Sequence, residues 1–404
     1  MALILTRSPY FVSRENLEDD ATLKLEIGYF EDGASFQVEK TYNLAYRNSN
    51  LIDISPLIQD YLVPDYRWTG SGGYSTGNVE RIKYIRTTLS GSVGGVTQTD
   101  VIKEYYVSLG YLYSTDDYNK DFSLELKSKS YYAGSTDLVY KLDDSDIEIP
   151  LVNTNNKLIE DAVVPDEVVT ISYFKNGEVV RTRKITLLNE FSFAGNYIVS
   201  SNSQSNDFGK TNDVSFRYRV ENDGGVYESN KCLEDFFEQF AIEDYDKILI
   251  SNQSGDVHKI TVKTIEECKH KPYLVTFINR FGVPENIWFF KRSDKTISIN
   301  KEMFRGNSIG SYNAGNGVKT MQHFNVNGYE KITLNSGFVE EEMNEAFRQL
   351  LLSEEITLYD YKENKEYNVN IATSELQYKQ HVNDKLINYT IEFEFAHEVI
   401  NNVG

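Results

Sequence analysis

The sequence predicts a mainly β protein whose N-terminal part consists of antiparallel β-sandwich domains. Apolar and polar residues alternate with a period of two over many short segments, which is typical of half-buried strands. Turn signals such as Asn176-Gly177 stand between the segments, and Asn-Gly flanked by alternating residues is a strong hairpin signal. The segments with this alternation are 21–27, 82–89, 101–109, 122–126, 168–173, 179–187 and 215–220.

Three amphipathic helices are predicted among these strands. The first covers 55–62, with Ser55 as its N-cap and Pro56 at its first helical position. The second covers 231–241 after Asn230, and the third covers 339–352. Apolar residues spaced for one face of a helix mark the side that is expected to be buried. These residues are Leu233, Phe236, Phe237 and Phe240 in the second helix, and Met343, Phe347, Leu350 and Leu351 in the third.

Element order in the C-terminal part suggests an internal duplication. A helix, a hairpin and long strands follow one another in 226–291 and again in 331–396. Residue identity between the copies is weak, so two unrelated α+β units remain an alternative. The predicted hairpins join 247–252 to 257–263 and 356–361 to 367–373, and the predicted long strands are 273–279, 286–291, 376–380 and 388–396.

Four domains are predicted from these elements. They are an N-terminal β-sandwich at 1–115, a second β-rich domain at 116–220, and two sandwich units with one helix each at 221–300 and 301–404. Between the last two sets of strands, 304–316 is rich in Gly, Ser and Asn and is expected to form a long loop or arm.

Charge and composition exclude several classes of function. The chain has 61 acidic and 41 basic residues and a formal net charge of −20, which repels nucleic acid and anionic membrane surfaces. We find no secretion signal and no run of about 18 apolar residues that could form a membrane helix. The two cysteines, Cys232 and Cys268, form no framework that needs an oxidising compartment. We therefore expect a soluble chain.

Catalytic and metal-binding motifs are incomplete wherever they are sought. The five histidines have no HExxH or similar ligand spacing. Gly209-Lys210-Thr211 lacks the preceding glycine of a phosphate loop, and the acidic segment 143–148 lacks the spacing of a calcium loop. There is no GxSxG nucleophile elbow. The sequence thus predicts that the protein is not an enzyme and has no cofactor and no metal site.

Two long segments and the N-terminus have recognisable sequence. They are 273–291 around Phe281-Gly-Val-Pro284, 331–395 with Leu334-Asn-Ser-Gly337 and Asn383-Asp-Lys-Leu-Ile-Asn, and Leu5-Thr-Arg-Ser-Pro-Tyr-Phe11. These segments resemble virion structural proteins of tailed bacteriophages, particularly phages of Bacteroides-type bacteria. The helix–hairpin–long-strand units also resemble the tail-tube fold of tail-tube, distal-tail and hub proteins.

This resemblance implies a structural tail protein located in the virion and assembled in the host cytoplasm. It implies two tail-tube-like units, and a ring or hub around the tail channel at the tail tip or baseplate. The implied partners are further copies of the chain, as a trimer or hexamer, and other tail or baseplate proteins. DNA would pass through the channel without stable binding, and no insertion into a membrane is expected.

A glycan- or receptor-binding tail protein is the alternative hypothesis. Tyr66, Trp68 and Tyr74 near the glycine-rich segment 70–77 could form an aromatic platform for a sugar. Aromatic residues buried in strands explain most of the 29 tyrosines equally well, and the segment 70–77 could simply join two strands. A polysaccharide hydrolase is a third hypothesis, and it would need two carboxylates that converge in a cleft.

Overall fold

The computed structural model of the chain is mainly β, as the sequence predicts. None of the helices in the part that it describes is long and apolar enough to cross a membrane. The described residues are 2–18, 20–30, 36–47, 49–62, 67–69, 73–75, 82–142, 147–152, 167–187, 196–200, 218–222, 225–228, 245–305, 321–363, 365–373, 375 and 386–400.

The chain divides into two compact units that interleave along the sequence. Unit 1 comprises Met1–Glu266, Phe277–Ile287 and Glu342–Ser353. Unit 2 comprises Glu267–Thr276, Trp288–Glu341 and Glu354–Gly404. The four predicted domain ranges are each continuous in sequence and do not anticipate this interleaving.

The first sheet has five strands and belongs to unit 1. Its first two strands are parallel and the others antiparallel. The predicted strands 21–27, 82–89 and 101–109 are confirmed by three of these strands. In the first of them, Leu23, Leu25 and Ile27 alternate into the core, as predicted. The strands in spatial order are Ala2–Leu5, Val101–Ser108, Ile82–Ser90, Thr22–Phe30 and Phe36–Ala45.

Small two-stranded sheets accompany the first sheet and the strands that follow it. They pair Phe11–Ser13 with Leu51–Asp53, Ser92–Val93 with Val96–Thr97, Arg67–Thr69 with Gly73–Ser75, and Glu148–Val152 with Asn196–Ser200.

The second sheet has seven strands and also belongs to unit 1. Asn176 and Gly177 both have positive φ, 51° and 88°, in the two-residue turn that joins its central hairpin. This is the backbone that Asn-Gly favours, so the hairpin prediction is confirmed. The strands in spatial order are Leu138–Leu142, Val257–Ile265, Lys247–Ser251, Glu167–Lys175, Glu178–Leu187, Tyr218–Asn222 and Gly225–Glu228.

The third sheet also has seven strands. Ile332, Leu334, Ile391 and Phe393 line its buried face in unit 2. The short strands Val339–Glu340 and Leu386–Ile387 pair separately. The order of the seven strands is Pro284–Phe289, Tyr273–Ile278, Ile356–Asp360, Lys365–Ile371, Thr390–Glu398, Met321–Asn335 and Asp294–Arg305.

The sheet topology does not support the predicted duplication. The hairpin of the first predicted copy belongs to the second sheet, whereas the strands Tyr273–Ile278 and Pro284–Phe289 belong to the third sheet. Element order along a chain does not determine which sheet a strand joins, which is why the pattern misled. The predicted helix 231–241 and the predicted strand 376–380 lie outside the described residues.

The predicted strand 122–126 is wrong, because Ser123–Ser128 is an α-helix. Phe122 and Leu126 are buried, and they are four residues apart, a spacing that also fits one face of a helix. Leu124, which a strand would bury with them, is 78 % exposed.

The other described helices are shorter than predicted. The first spans Ser55–Gln59, and Asp53 rather than Ser55 contributes the side chain at its start, because Asp53 Oδ1 accepts a hydrogen bond from Ser55 N at 3.0 Å. The last begins with the 3-10 turn Glu341–Met343 and continues as the α-helix Asn344–Leu351.

The buried face predicted for the last helix is largely correct. Met343, Phe347 and Leu350 are buried. Leu351 is only half-buried.

We expect Phe347→Ala to lower the free energy of unfolding by about 3–5 kcal/mol, because it removes a fully buried ring and leaves a cavity. The control is Leu352→Ala, since Leu352 is 44 % exposed and its truncation should cost less than about 1 kcal/mol. Urea titration followed by circular dichroism measures both. Equal effects of the two variants would show that the helix face is wrongly assigned.

We also expect the stability of unit 2 to fall as the pH drops from about 4.5 to about 2 through Glu267. The Lys291 ammonium lies 2.6 Å from Glu267 Oε2, and this hydrogen bond, with those from the amides of Lys269 and His270, lowers the pKa of Glu267 to about 2. A carboxylate with a lowered folded-state pKa stabilises the protein above its unfolded pKa and loses that contribution on protonation.

Urea midpoints measured between pH 2 and pH 7 test this expectation. Glu267→Gln should reduce the fall of the urea midpoint at acid pH, which we call the acid limb. The variant Glu266→Gln, at the exposed neighbouring position, should leave the acid limb unchanged. An acid limb that Glu267→Gln does not alter would contradict the assignment.

Candidate interaction surface

Among the described residues, a two-stranded ribbon formed by Asp294–Arg305 and Met321–Asn335 is exposed over much of its length. All twelve residues of Asp294–Arg305 are exposed. This strand ends the order of the third sheet, so in the described part of the chain its outer edge has no neighbouring strand. A long exposed edge of this kind is a template for pairing with another chain.

The register divides the ribbon into two different faces. Cross-strand partners and every second residue share a face, so the pairs Ile299 with Gly328 and Met303 with His323 define one side. A bulge lies between Asn300 and Glu302, where Asn325 has a φ of 48°. We call this side the basic face; its members on the edge strand are Lys295, Ile297, Ile299, Lys301, Met303 and Arg305.

The opposite side, the polar face, satisfies its groups internally. It carries Ser298, Asn300 and Glu302. Phe304 and Phe324 meet edge to face with ring centroids 5.6 Å apart. Asn325 Nδ2 donates to Glu302 Oε1 at 3.3 Å across the bulge.

The basic face continues the buried face of the third sheet. Lys295 is the register partner of Ile332, which is fully buried and pairs on its other side with Phe393. Further along the same face, Ile297, Ile299 and Met303 are 52 %, 57 % and 58 % exposed. The apolar pattern of the core therefore runs on past the end of the packed region.

The base of the ribbon is fixed by the residues that follow Thr390–Glu398. Asn327 Nδ2 donates to Ile400 O at 3.0 Å, and Ile400 N donates to Asn327 Oδ1 at 2.9 Å. Val399 N donates to Gly328 O at 2.8 Å. Tyr329 Oη donates to Glu398 Oε1 at 3.0 Å, and this carboxylate raises the pKa of Tyr329. The part of the ribbon beyond Asn327 extends past these contacts.

Charge distinguishes the ribbon from the rest of the chain. Its two strands contain four basic and three acidic residues, whereas the whole chain carries a net charge of −20. Lys331, at the base, is 3.1 Å from Glu392 and 3.4 Å from Glu394, and these carboxylates raise its pKa. Among the described residues, Lys301 and Arg305 on the basic face form no ion pair.

The residues predicted for a glycan platform are only partly within the described structure. Tyr66 lies outside the described residues. Trp68 and Tyr74 are direct register partners in the hairpin of Arg67–Thr69 and Gly73–Ser75. The structure therefore brings two of the three predicted positions together, as far as the backbone describes them.

Other side chains that could act as metal ligands or nucleophiles lie apart from the ribbon strands in sequence. Within the described ranges, no group of three His, Cys, Asp or Glu residues could hold a metal ion. His258 Nε2 lies 3.0 Å from Asp137 Oδ1 and its ring stacks on Tyr132, and the hydrogen bond lowers the pKa of Asp137. Cys268 is a free, exposed thiol, and Cys232 lies outside the described residues.

Sequence reasoning did not identify the ribbon. It placed an arm at 304–316, of which 304 and 305 belong to the strand Asp294–Arg305 and 306–316 lie outside the described residues. The available signal was the alternation of Lys295, Ile297, Ile299, Lys301 and Met303 with polar residues over a run longer than an average strand. That alternation predicts a strand, but it does not reveal that both sides are exposed.

Comparisons with known proteins give no relative for this chain. No family model, no curated protein and no solved structure matches it.

We expect Gly328→Ala to disrupt the base of the ribbon. A Cβ on Gly328 would lie 2.6 Å from Ser298 O, closer than such atoms can approach, so the backbone would have to shift. Hydrogen exchange of the amides in 294–299 should become faster. The control is Ser298→Ala, which leaves that carbonyl oxygen in place. Unchanged exchange in Gly328→Ala would show that the two strands are not held in this register.

Proposed function

We propose that the protein is a non-enzymatic structural component of a bacteriophage tail that forms a ring or hub around the tail channel at the tail tip or baseplate. The observation that carries this proposal is the twelve-residue edge strand Asp294–Arg305, which is exposed throughout. An edge of this length with apolar side chains is a liability in a protein that stays alone. In an assembly it is a surface for other subunits.

A closed ring is the arrangement that meets this need most directly. Cyclic symmetry covers the same surface on every subunit and ends growth, whereas an open arrangement leaves edges at both ends. The proposed partners are further copies of the chain and other tail or baseplate proteins. The proposed location is the virion tail, after assembly in the host cytoplasm.

The net charge of −20 suits a channel through which DNA passes. A lumen of the same sign as the phosphate backbone repels DNA and keeps it from adhering. No stable complex with nucleic acid is proposed.

The finer fold is part of the same proposal. N-terminal sandwich domains would precede the tail-tube-like part of the chain. Because the strands of the first predicted copy are divided between two sheets, we assign the tube-like unit to the strands of residues 331–396. One such unit per chain requires six chains for a ring of six tube-like domains, whereas two units per chain would require three. We therefore expect a hexamer, with a trimer as the alternative.

A glycan- or receptor-binding tail protein is the second candidate. The observation that favours it is the register pairing of Trp68 with Tyr74. Neighbouring aromatic residues are a common platform for the apolar face of a sugar. This function does not require the exposed edge of the third sheet to be covered, so the state of assembly discriminates between the candidates.

We expect native mass measurement of the purified chain to give six copies, or three, at concentrations at which particle averaging shows closed rings with a central channel. The same particles should be found in tails of the virion that carries the protein. A chain that is monomeric in solution and remains a single copy in the virion would eliminate the ring and favour the glycan-binding candidate.

A further inference from the structure

We propose that the basic face of the ribbon docks on an acidic surface of a second copy of this chain. This inference rests on the proposed self-association, and it adds the surface, its partner and the salt dependence of the contact. The participating residues are those on the projecting half of the basic face. They are Ile299, Lys301, Met303, Arg305, Met321 and His323.

Continuity with the core argues that this face is covered in the assembled protein. Ile332, Phe393 and Ile391 are fully buried on the same side of the sheet. Ile299 and Met303 repeat that apolar pattern further along the ribbon, where the chain's own described residues do not cover them. Covering them removes apolar surface from water, which favours association.

The polar face is less suited to this role. Its two rings, Phe304 and Phe324, already contact each other, and Glu302 already accepts a hydrogen bond from Asn325. On the basic face, Lys301 and Arg305 alternate with apolar residues, and beyond Ile299 no described residue on that side carries a carboxylate. This side therefore offers a partner apolar groups and two cations that form no ion pair with the described residues.

Charge complementarity identifies a second copy as the partner. The ribbon strands carry one net positive charge, so the remainder of every copy carries all of the strong negative charge of the chain. A cationic projection on an acidic protein is attracted to the body of its own kind and steers the encounter between copies. In a cyclic assembly, each copy both presents the ribbon and receives one.

This contact should depend on salt and on side-chain position. Charge pairs at an accessible interface are screened as ionic strength rises. Self-association should therefore weaken between low and high salt. Substitutions on the basic face should weaken it, and equivalent substitutions on the polar face should not.

The matched variants are Ile299→Asp and Ser298→Asp. They are adjacent in one exposed strand and add the same charge, but they lie on opposite faces of the ribbon. Lys301→Glu is a third variant that reverses charge without removing an apolar group. Sedimentation velocity over a concentration series at low and high salt measures association, and urea titration verifies that each variant remains folded.

We expect Ile299→Asp and Lys301→Glu to weaken association by about tenfold or more, and Ser298→Asp to leave it within about twofold of the unmodified chain. If the unmodified chain forms rings and all three variants associate equally well, the docking proposal is overturned while the tail proposal stands. If the unmodified chain is monomeric at every concentration and forms no rings, the tail ring fails together with the docking.

A mobility shift with duplex DNA examines the competing partner. We expect no shift at physiological salt. A shift that Lys301→Glu abolishes, from a chain that does not self-associate, would overturn the choice of a second copy as the occupant.

Discussion

One turn, at residues 279–283, holds together segments of unit 1 that lie far apart in sequence. The side chain of Asn279 is buried; its Oδ1 accepts hydrogen bonds from the amides of Phe281 and Val283, and its Nδ2 donates to Ala133 O at 2.7 Å and to Glu285 Oε2 at 2.9 Å. Only the side-chain amides of asparagine and glutamine can donate two hydrogen bonds and accept two in this way, and glutamine is longer by one methylene group. The side-chain amide of Asn279 therefore contributes both to the shape of the turn and to its attachment to the segment around Ala133.

The neighbours of this turn extend its influence. Arg280 O accepts a hydrogen bond from Tyr111 N, and Arg280 N donates to Gln349 Oε1. Arg280 therefore contacts both the segment that follows the strand Val101–Ser108 and the helix Asn344–Leu351. Glu285 accepts from both the amide and the hydroxyl of Ser135, and burial nevertheless raises the pKa of Glu285. A buried carboxyl group tolerates this position only because its oxygens are hydrogen-bonded. These hydrogen bonds join the turn to segments of unit 1 around Tyr111, Ser135 and Gln349 that are distant from it in sequence.

The features that sequence could predict are those set by local geometry. The turn at Asn176 and Gly177 and the alternation of Leu23, Leu25 and Ile27 each follow from a few adjacent residues. The strand predicted at 122–126 was wrong because a spacing of four residues between apolar side chains fits both a strand and a helix. The pairing of strands into sheets could not be predicted from the sequence. The hairpin of Lys247–Ser251 and Val257–Ile265 and the next pair of strands, Tyr273–Ile278 and Pro284–Phe289, have similar patterns but belong to different sheets. The exposure of the ribbon could not be predicted either, because the alternation in Asp294–Arg305 resembles that of strands whose apolar side is buried.

The turn and the ribbon show the same constraint with opposite outcomes. At Asn279, buried polar groups find their partners inside unit 1, and the result is a fixed internal arrangement. On the basic face of the ribbon, Ile299, Lys301 and Met303 find no such partners among the described residues, although their side of the sheet is buried nearer the base. The described part of a single chain does not cover that face. In the proposed docking, an identical acidic chain would supply both the opposite charge and a surface to pack against. On that proposal, the charge difference between the ribbon and the rest of the chain would favour a repeated, directional contact between copies over an indiscriminate apolar one.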